Sequence, residues 1–367
     1  MEEGTEATPV STTWTGRNGV VRSPTNQETL FHPPEMGRKK GGPTYYATVR
    51  VHDIKSAFGL FFTPVIIDLV VENTNLYGHR NLKEWKELDA TEFQAFLGLL
   101  ILSGLFRSKG ESTASLWGPK NGRAIFGATM TRNRFHQIMN AVRFDDKEQR
   151  RARFRDDRLA PIRSLWDMWR VRLSLLYNTG SDVTIDEQLV PFKGRCKFRQ
   201  YMPKKPAKYG LKIWMATDAC TSYVWRCSIY TGRSGDAREV GQGRRVVLEL
   251  LEDVKGITVT CDNFFTSFQL GQELLKKKIA LVGTIRKNKP ELPPKLLDTK
   301  GRDVLSSVFA FTRTTMAVSY VPKRGRNVVL ISTKHRQPVI AEGPKRKPEV
   351  ITDYNRCKGG VDNLDKL

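Results

Sequence analysis

The chain has 367 residues, enough for two or three domains and a sizeable buried core. Lys and Arg number 61 against 38 Asp and Glu, which gives a formal net charge of +23 and favours a polyanionic partner, most often nucleic acid. With 39% hydrophobic and 10% aromatic residues, the composition excludes a wholly disordered chain.

Cysteine usage, hydropathy and missing motifs exclude further classes. The five cysteines form no C-x-x-C pair, so the sequence predicts neither a disulfide scaffold nor a zinc ribbon. The longest apolar run, residues 93–106, is shorter than the ~20 residues of a membrane-spanning helix, and the acidic N-terminus does not resemble a secretory leader. We therefore expect neither membrane insertion nor secretion. No Walker motif, no G-x-S-x-G and no histidine pair with metal-ligand spacing occurs.

The first half of the chain predicts a tail followed by helices. Residues 1–44 are rich in Thr, Gly, Pro and Glu without an apolar period, which predicts a disordered tail. Residues 45–180 predict a helical domain, because apolar residues recur at helical spacing. The predicted helices include one from Ala90 to near Leu105, one over 131–143 with Thr131 as N-cap, and one over 158–176.

After residue 180 the period changes to short β-type runs. Strands are predicted at 183–189, 212–217, 224–230, 256–261 and 279–285, with helices at 244–251 and 267–277. A meander followed by strand–helix–strand crossovers predicts a mixed α/β sheet whose later strands run parallel. Two more strand-like segments, 308–319 and 327–333, predict a small β-rich insertion.

Three aspartates are candidates for a common site. Asp186 lies in the strand-like run V-T-I-D-E-Q-L, and Asp262 follows the apolar run I-T-V-T-C. Strand ends commonly carry functional residues, and the ends of two strands of one sheet can converge. Asp362 follows a Gly-Gly pair that predicts a chain break before a helix, with the acid in its first turn. Asp365 lies three residues on, on the same face.

Such a cluster of acids points to metal-dependent chemistry. Carboxylates gathered at one point repel one another unless a cation is held between them, and their hard oxygens suit Mg²⁺ or Mn²⁺. Two such ions, roughly 3.5–4 Å apart, can support in-line displacement at a phosphodiester. The alternative for each aspartate alone is a turn former or helix N-cap, and for Asp218, before the hairpin-like A-C-T-S, we favour the turn.

A basic segment, residues 192–212, follows closely after Asp186 and contains no acidic residue. We call it the basic strip, and its cations alternate with aromatic residues, a pattern that favours phosphate binding with stacking; the alternative is a solvated basic loop. The candidate DNA-binding residues are Lys193, Arg195, Lys197, Arg199, Lys204, Lys205, Lys208, Tyr209 and Lys212. Separately, K-R-K at 345–347 matches the weak pattern of a nuclear-import signal.

Several long motifs together resemble the piggyBac family of DNA transposases and the domesticated proteins derived from them. They occur in the family's order, and weaker similarity extends the resemblance over most of residues 46–367. The motifs are T-I-D-E-Q-L at 184–189, G-R-C-x-F-R-Q-Y-M-P-x-K-P-x-K-Y-G at 194–210, T-C-D-N-F-F-T-S at 260–267, V-G-T-I-R-K-N-K at 282–289 and Y-N-x-x-K-G-G-V-D-x-L-D at 354–365.

The resemblance implies a fold and a division into domains. It implies an α/β protein with a ribonuclease-H-like mixed-sheet catalytic core, interrupted by the small β-rich insertion and preceded by a helical dimerisation and DNA-binding domain at 45–180. The core's first part is assigned to 181–289, the insertion to 290–350, and the start of a C-terminal catalytic helix to 351–367.

The resemblance also implies an activity. Asp186, Asp262 and Asp362 match the positions of a catalytic, metal-binding aspartate triad that uses two Mg²⁺ (or Mn²⁺) ions, with Asp365 a neighbouring acid of the same motif and a further candidate ligand. Such enzymes nick transposon ends, form hairpins and join them to a T-T-A-A target. The implied partners are therefore DNA ends and target DNA, with a homodimer as a further expectation, in the nucleus.

Two functional hypotheses remain open at this point. The first is a piggyBac-like transposase that cleaves and joins DNA. The chain ends at Leu367, directly after the third motif and without the cysteine-rich zinc domain usual in the family, so we expect a truncated form. The alternative is a domesticated, catalytically inactive nuclear DNA-binding protein that keeps the fold and the charge.

Overall fold

The computed structural model describes residues 13–25, 40–108, 110–119, 122–233 and 239–366. The chain divides into two compact units. The helical unit is Tyr45–Leu176, and the sheet unit comprises the described residues before Tyr45 together with those from Tyr177 onward. The boundary thus falls at residue 176 rather than at the predicted 180, because Tyr177 already pairs as a strand residue with Pro43.

The helical unit is built from helices numbered here in chain order. They are α1 Tyr45–Thr48, α2 Ile54–Phe61, α3 Pro64–Asn81, α4 Ala90–Leu105, α5 Thr113–Leu116, α6 Ala124–Thr129, α7 Arg132–Ala141, α8 Arg150–Phe154 and α9 Arg163–Leu176.

Local capping and aromatic packing explain the central helices of this unit. The predicted helices at 90–105 and 131–143 are confirmed by α4 and α7, and the Thr131 side chain accepts the backbone N–H of Arg134 as the predicted N-cap. Phe96 and Phe135 bring α4 and α7 together, with ring centroids 5.2 Å apart. The helix predicted over 158–176 begins only at Arg163.

The helices of the described ranges can be compared with a membrane span by length and hydropathy. No single helix there is both long enough and apolar enough to cross a bilayer, and the pair α2 and α3 satisfies the length and composition only across a 69° bend.

The sheet unit contains the strands, again numbered in chain order. They are β1 Trp14–Thr15, β2 Val21–Arg22, β3 Gly42–Pro43, β4 Tyr177–Asn178, β5 Asp182–Pro191, β6 Gln200–Tyr201, β7 Tyr209–Asp218, β8 Val224–Ile229, β9 Thr258–Cys261, β10 Ala280–Thr284, β11 Ser307–Phe311, β12 Met316–Lys323 and β13 Arg326–Ser332. Its helices are α10 Gln242–Leu250, α11 Phe268–Lys276, α12 Pro294–Leu297, α13 Glu349–Cys357 and a 3₁₀ helix, Asp362–Lys366.

One mixed sheet organises this unit. Its strand order is β11-β12-β13-β10-β9-β5-β7-β6, and β8 also pairs with β7. Strands β5, β9 and β10 run parallel to one another, and the remaining pairs are antiparallel. The predicted mixed sheet, with a meander before parallel crossovers, is therefore confirmed.

The main core lies between one face of this sheet and the helices α10 and α11. Val183, Ile185 and Val259 are fully buried there with Val247 of α10 and Leu270 of α11. The alternation of side chains along a strand turns the neighbouring residues of β5 and β9 to the opposite face. That opposite face carries the candidate site.

The segment predicted as a β-rich insertion joins the main sheet. Its strands β11–β13 extend the sheet beyond β10, through antiparallel pairing of β13 with β10. The single strand predicted over 308–319 is wrong, because a turn divides it into β11 and β12. In that turn the Thr312 backbone N–H donates to the Thr315 carbonyl, and the Thr315 N–H donates to the Thr312 hydroxyl.

The prediction of disorder for all of residues 1–44 is wrong for the part of the tail that the structure describes. Strands β1 and β2 pair with each other, and Ser23 bridges to Phe311. The Arg22 guanidinium is fully buried, donates to the Glu291 and Thr315 carbonyls at 3.5 and 3.4 Å, and has its pKa lowered to about 10 by that burial. The order comes from residues distant in sequence, which a local composition window cannot detect.

Candidate active site

The register of the parallel pair β5–β9 brings two of the candidate acids side by side. Thr184 pairs with Thr260 and Ile185 with Cys261, so the next residue along each strand is Asp186 on β5 and Asp262 directly after β9. Both acids therefore lie where the parallel pairing of β5 with β9 ends: Asp262 directly follows β9, and Asp186 lies within β5, which continues beside β7 to Pro191. The position directly after a parallel strand is where open α/β sheets commonly bind ligands.

Backbone hydrogen bonds hold both carboxylates in place. The N–H of Glu187 donates to Oδ1 of Asp186 at 2.8 Å, and the N–H of Phe264 donates to Oδ1 of Asp262 at 2.8 Å. The Thr266 hydroxyl donates to the Asp262 carbonyl at 2.7 Å and closes the turn after β9. The two acids are thus fixed by their own strand ends before any ligand binds.

Burial and neighbouring negative charges disfavour the ionisation of Asp186 in this pair. Burial raises the pKa of Asp186 to about 7, and the negative charges of Glu187 and Asp262 act in the same direction. Burial also raises the pKa of Glu187, although Lys212 acts against it. A cation at this edge would offset the repulsion.

The third acid is brought toward this pair by the segment after α13. The Thr184 hydroxyl donates to the Cys357 carbonyl at 2.6 Å, which places the end of α13 on the sheet face that carries Asp186. Gly360 allows the close approach, since a Cβ there would lie 2.6 Å from the Thr217 hydroxyl and 2.8 Å from that of Thr184. The 3₁₀ helix begins two residues later, at Asp362.

Asp362 contacts Lys205 and does not lie close enough to Asp186 and Asp262 to bind one metal ion together with them. Its side chain is 60% exposed, and its Oδ1 lies 3.9 Å from Nζ of Lys205, which also donates to the Glu187 carbonyl at 2.9 Å. Among the described residues, no three His, Cys, Asp or Glu side chains are grouped closely enough to hold a metal ion. The Asp365 side chain lies outside the described residues.

Sequence reasoning missed the role of Glu187 and of the two lysines around it. Nζ of Lys212 lies 3.8 Å from the Glu187 carboxylate and 4.8 Å from the centre of the Phe264 ring. Lys205 and Lys212 were predicted to bind DNA, but in this structure both contact Glu187, and their side chains are only 15% and 14% exposed. The available signal was the second acid of the D-E pair, directly after Asp186.

The rest of the basic strip lies at the surface, as a DNA-contacting segment requires. Lys193, Arg195, Lys197, Arg199, Lys204, Lys208 and Tyr209 are all exposed. The Arg199 guanidinium donates to the Lys193 carbonyl at 3.0 Å and lies 5.3 Å from the centre of the Tyr209 ring, which packs on Tyr201.

Asp218, for which the sequence favoured a turn, does form one. Its Oδ1 accepts the backbone N–H groups of Cys220 and Thr221 at 3.0 and 2.8 Å, and its Oδ2 accepts that of Gly180 at 2.7 Å. The turn prediction is confirmed, and both oxygens of this carboxylate are hydrogen-bonded to backbone N–H groups.

The oxygen donors of the acid pair fit a hard divalent cation. Asp186 and Asp262 supply carboxylate oxygens, and Mg²⁺ commonly binds proteins through one or two carboxylates plus waters and phosphate oxygens. Asp362 completes no three-acid group in this arrangement, so the fit rests on the pair.

The fold and its acids define a ribonuclease-H-like protein, in which two adjacent parallel strands place acids side by side and helices pack against the sheet. The sequence pattern of the transposase IS4 family matches residues 54–367, and the chain belongs to the piggyBac type of this family. The resemblance seen in the sequence motifs is thereby confirmed, together with the ribonuclease-H-like fold.

Known proteins similar to this chain include curated and structurally solved transposase relatives. Human PiggyBac transposable element-derived protein 3 is 24% identical over 91% of this chain, and human PiggyBac transposable element-derived protein 2 is 26% identical over 66%. The chain spans 58% and 43% of their respective lengths. A piggyBac transposase in a synaptic complex with hairpin DNA is 35% identical, with a TM-score of 0.83 over 90% of this chain and 70% of its own.

The close approach at Gly360 predicts a position-specific loss of stability. Gly360→Ala should lower the free energy of unfolding by about 1–3 kcal/mol, because the added methyl group collides with two threonine hydroxyls. The matched control is Gly359→Ala, where a Cβ meets no atom within 4 Å. Denaturant unfolding measures both, and equal stabilities of the two variants would contradict the placement of this segment.

The raised pKa of Asp186 predicts a pH dependence of stability. Between the ordinary aspartate pKa of about 4 and the folded-state pKa of about 7, the folded, metal-free protein holds a proton on Asp186 that the unfolded chain has released, so the free energy of unfolding falls as pH rises through this range and levels off above it. The Asp186→Asn variant should lack roughly 1–3 kcal/mol of this pH-dependent decrease in the free energy of unfolding. At pH 8 it should therefore be more stable than the wild type.

Urea unfolding at several pH values measures this effect. Asp303→Asn, at an exposed position, is the control and should follow the wild-type curve. If the free energy of unfolding changes with pH in the same way for wild type and Asp186→Asn, the pKa of Asp186 is not raised in the folded protein.

Proposed function

We propose that this protein cleaves and joins DNA phosphodiester bonds, with Asp186, Asp262 and Asp362 as its catalytic acids. The observation that carries the proposal is the half-buried pair Asp186–Asp262 at the point where the parallel pairing of β5 with β9 ends, in a chain of the piggyBac-type transposase IS4 family. A net charge of +23 and the exposed basic strip beside the pair support DNA as the substrate.

Asp186 and Asp262 would hold divalent cations, Mg²⁺ or Mn²⁺, with two ions as the proposed number. Such ions, when bound, lower the pKa of a water or 3′-hydroxyl nucleophile and neutralise charge on the phosphate and the leaving oxygen. The chain's own part is to fix both carboxylates through the Glu187 and Phe264 N–H groups and to bury Asp186 partly.

Asp362 would act from the 3₁₀ helix, which the Gly360 contact holds against β5 and β7. In the present arrangement it contacts Lys205. A third carboxylate would join the pair only if this lysine moves toward another anion, and a DNA phosphate is the obvious one. We extend this proposal to DNA ends and target DNA as partners, to a homodimer, and to the nucleus as the place of action.

A second function is favoured by one observation. The Asp362 carboxylate is paired with Lys205, and among the described side chains it does not complete a three-acid group. That arrangement suits a transposase-derived nuclear protein that binds DNA through the basic strip without cutting it. The two functions differ in metal-dependent cleavage and share DNA binding, so one experiment separates them.

Cleavage should depend on the acid pair. We expect wild-type protein with Mg²⁺ or Mn²⁺ to nick supercoiled DNA, and Asp262→Asn to lose roughly 100-fold or more of the rate. The asparagine keeps an oxygen to accept the Phe264 N–H, so the turn is retained. Gel electrophoresis of nicked and intact plasmid measures the rate.

Asp303→Asn is the charge-matched control for nicking and should retain the wild-type rate. Equal rates for wild type and Asp262→Asn would reject the catalytic assignment. Absence of nicking by wild type, together with intact DNA binding, would establish the second function.

The basic strip should contribute phosphate contacts that salt weakens. Binding of duplex DNA should lose affinity with a log–log salt slope of about −0.9 per neutralised phosphate, and Lys193→Gln and Lys204→Gln should each reduce the slope by about 0.9. Lys276→Gln, at the end of α11, is the control and should leave the slope unchanged. Slopes unaffected by both strip variants would show that the strip is only a solvated loop.

A further inference from the structure

A threonine on the third parallel strand lies level with the acid pair. The register that aligns Asp186 with Asp262 continues into β10, where Gly283 pairs with Cys261. The next residue of β10 is Thr284, which is therefore level with Asp262. Two carboxylates and one hydroxyl thus form a polar row across three adjacent strands.

This row lies on the sheet face that α13 covers. Val282, two residues before Thr284 on β10, is buried in one cluster with Ile351 of α13. Because side chains alternate along a strand, Thr284 lies on the same face as Val282. The same alternation places Asp186 on the face of Thr184, whose hydroxyl donates to a carbonyl of α13. The helix and the polar row are therefore on the same side of the sheet.

Tyr354 of α13 brings a second hydroxyl to the end of this row. Its ring packs against the cluster that contains Val282, and Cys357, one helical turn later, is buried where its carbonyl accepts the Thr184 hydroxyl. Residues three apart lie on the same helix face, so Tyr354 faces the sheet, and it is half-buried there. Its hydroxyl is hydrogen-bonded to the side chain of Thr284.

The acid pair acts on the Tyr354 hydroxyl. Burial raises the pKa of Tyr354, the hydrogen bond with Thr284 acts to lower it, and the negative charges of Asp262 and Asp186 raise it further. A hydrogen bond lowers the pKa of a phenol when the phenol oxygen accepts it, so Thr284 is the donor. The phenol is protonated at neutral pH and keeps its own hydrogen for another acceptor.

A neutral donor next to the acid pair suits a cation site. Carboxylates that bind a metal ion are commonly hydrogen-bonded by residues that do not touch the ion, and loss of such a residue typically costs about 10- to 100-fold in metal affinity. Asp262 accepts the Phe264 N–H at Oδ1, which leaves Oδ2 for a second donor or for the ion. A hydroxyl can orient this carboxylate without cancelling the negative charge that attracts the ion.

We propose that Tyr354 and Thr284 are positioning residues of the cation site: Thr284 donates to the Tyr354 hydroxyl, and Tyr354 donates to Asp262, so that this carboxylate keeps one oxygen directed at the ion. The inference rests on the proposed function for the presence of a divalent cation. Because α13 also leads to Asp362, the same helix would supply a donor to the acid pair before it supplies a third acid.

Calorimetric titration with Mn²⁺, in the absence of DNA, tests the proposal. Tyr354→Phe keeps the ring and removes the hydroxyl, and it should weaken Mn²⁺ binding about 10-fold. Thr284→Val keeps the branched shape, and it should weaken binding roughly 3- to 10-fold. Tyr320→Phe is the matched control, since Tyr320 belongs to the same cluster but its hydroxyl donates to the Lys345 carbonyl at 2.6 Å. This control should bind Mn²⁺ as the wild type does.

The double variant tests the order of the two hydrogen bonds. Because Thr284 acts through Tyr354, the protein that carries both Tyr354→Phe and Thr284→Val should bind Mn²⁺ as weakly as Tyr354→Phe alone. Additive losses would overturn this order and with it the proposal. Thermal unfolding in EDTA shows which variants are folded, and Thr284→Val keeps the test decisive if Tyr354→Phe is not.

The proposal is overturned if Tyr354→Phe and Thr284→Val bind Mn²⁺ as Tyr320→Phe does, or if the wild type binds no Mn²⁺. It is also overturned if Tyr354→Phe keeps its affinity for Mn²⁺ but loses affinity for duplex DNA in EDTA, because the hydroxyl would then serve DNA instead. Hydroxyl-dependent Mn²⁺ binding without nicking would retain this inference and reject the enzymatic proposal. Nicking that requires Asp262, with Mn²⁺ binding that is insensitive to both hydroxyls, would do the reverse.

Discussion

The in-register parallel pairing of β5 with β9 is the constraint on which the rest of the sheet unit depends. Val183, Ile185 and Val259 are fully buried on one face, so a slip of one residue would turn those side chains toward the other face and could not be tolerated. The same register sets Asp186 beside Asp262 on that other face. Burial of hydrophobic side chains on one face therefore supplies the free energy that places the two acids next to each other on the other face, although their charges repel.

The helix that leads to Asp362 is held to the sheet by ion pairs rather than by packing alone. Asp353 of α13 lies 2.6 Å from Lys334 Nζ and 3.2 Å from His335 Nε2, just after β13, while Arg356 reaches Asp182 at the start of β5, 3.2 Å away. The hydrogen bond from His335 and the contact with Lys334 hold the pKa of Asp353 well below its usual range. A depressed carboxyl pKa gives stability that is present at neutral pH and lost only in acid, so this anchor persists wherever the acid pair could work.

The sequence predicted the elements that depend on local pattern, but it did not predict those that depend on contacts between residues distant along the chain. Thr131 capped its helix and the β-meander formed as its periodicity indicated, because caps and alternation are local. The turn at 312–315 was missed because threonines inside an apolar run satisfy strand propensity and turn bonding alike. The order of residues 13–25 was missed because Arg22 finds its acceptors at Glu291 and Thr315. Motif resemblance singled out three aspartates, two of which the strand register places side by side, but no sequence pattern shows that Lys205 contacts Asp362.

The lysines of the basic strip divide between the candidate site and the exposed surface. Strand β5 continues past Glu187 to Pro191, and the chain then runs through the basic strip and returns as β7, whose Trp214 lies opposite Glu187 in the antiparallel register. Because both strands that flank this loop run past the acids, some of its cations contact the acids and others remain in solvent. Lys205 and Lys212 balance negative charge that burial makes costly, whereas Lys193 and Lys204 remain exposed. On the proposed function, a DNA phosphate bound along the exposed cations would offer Lys205 a new partner. Binding of DNA and release of Asp362 toward the acid pair would then be two effects of one change in charge.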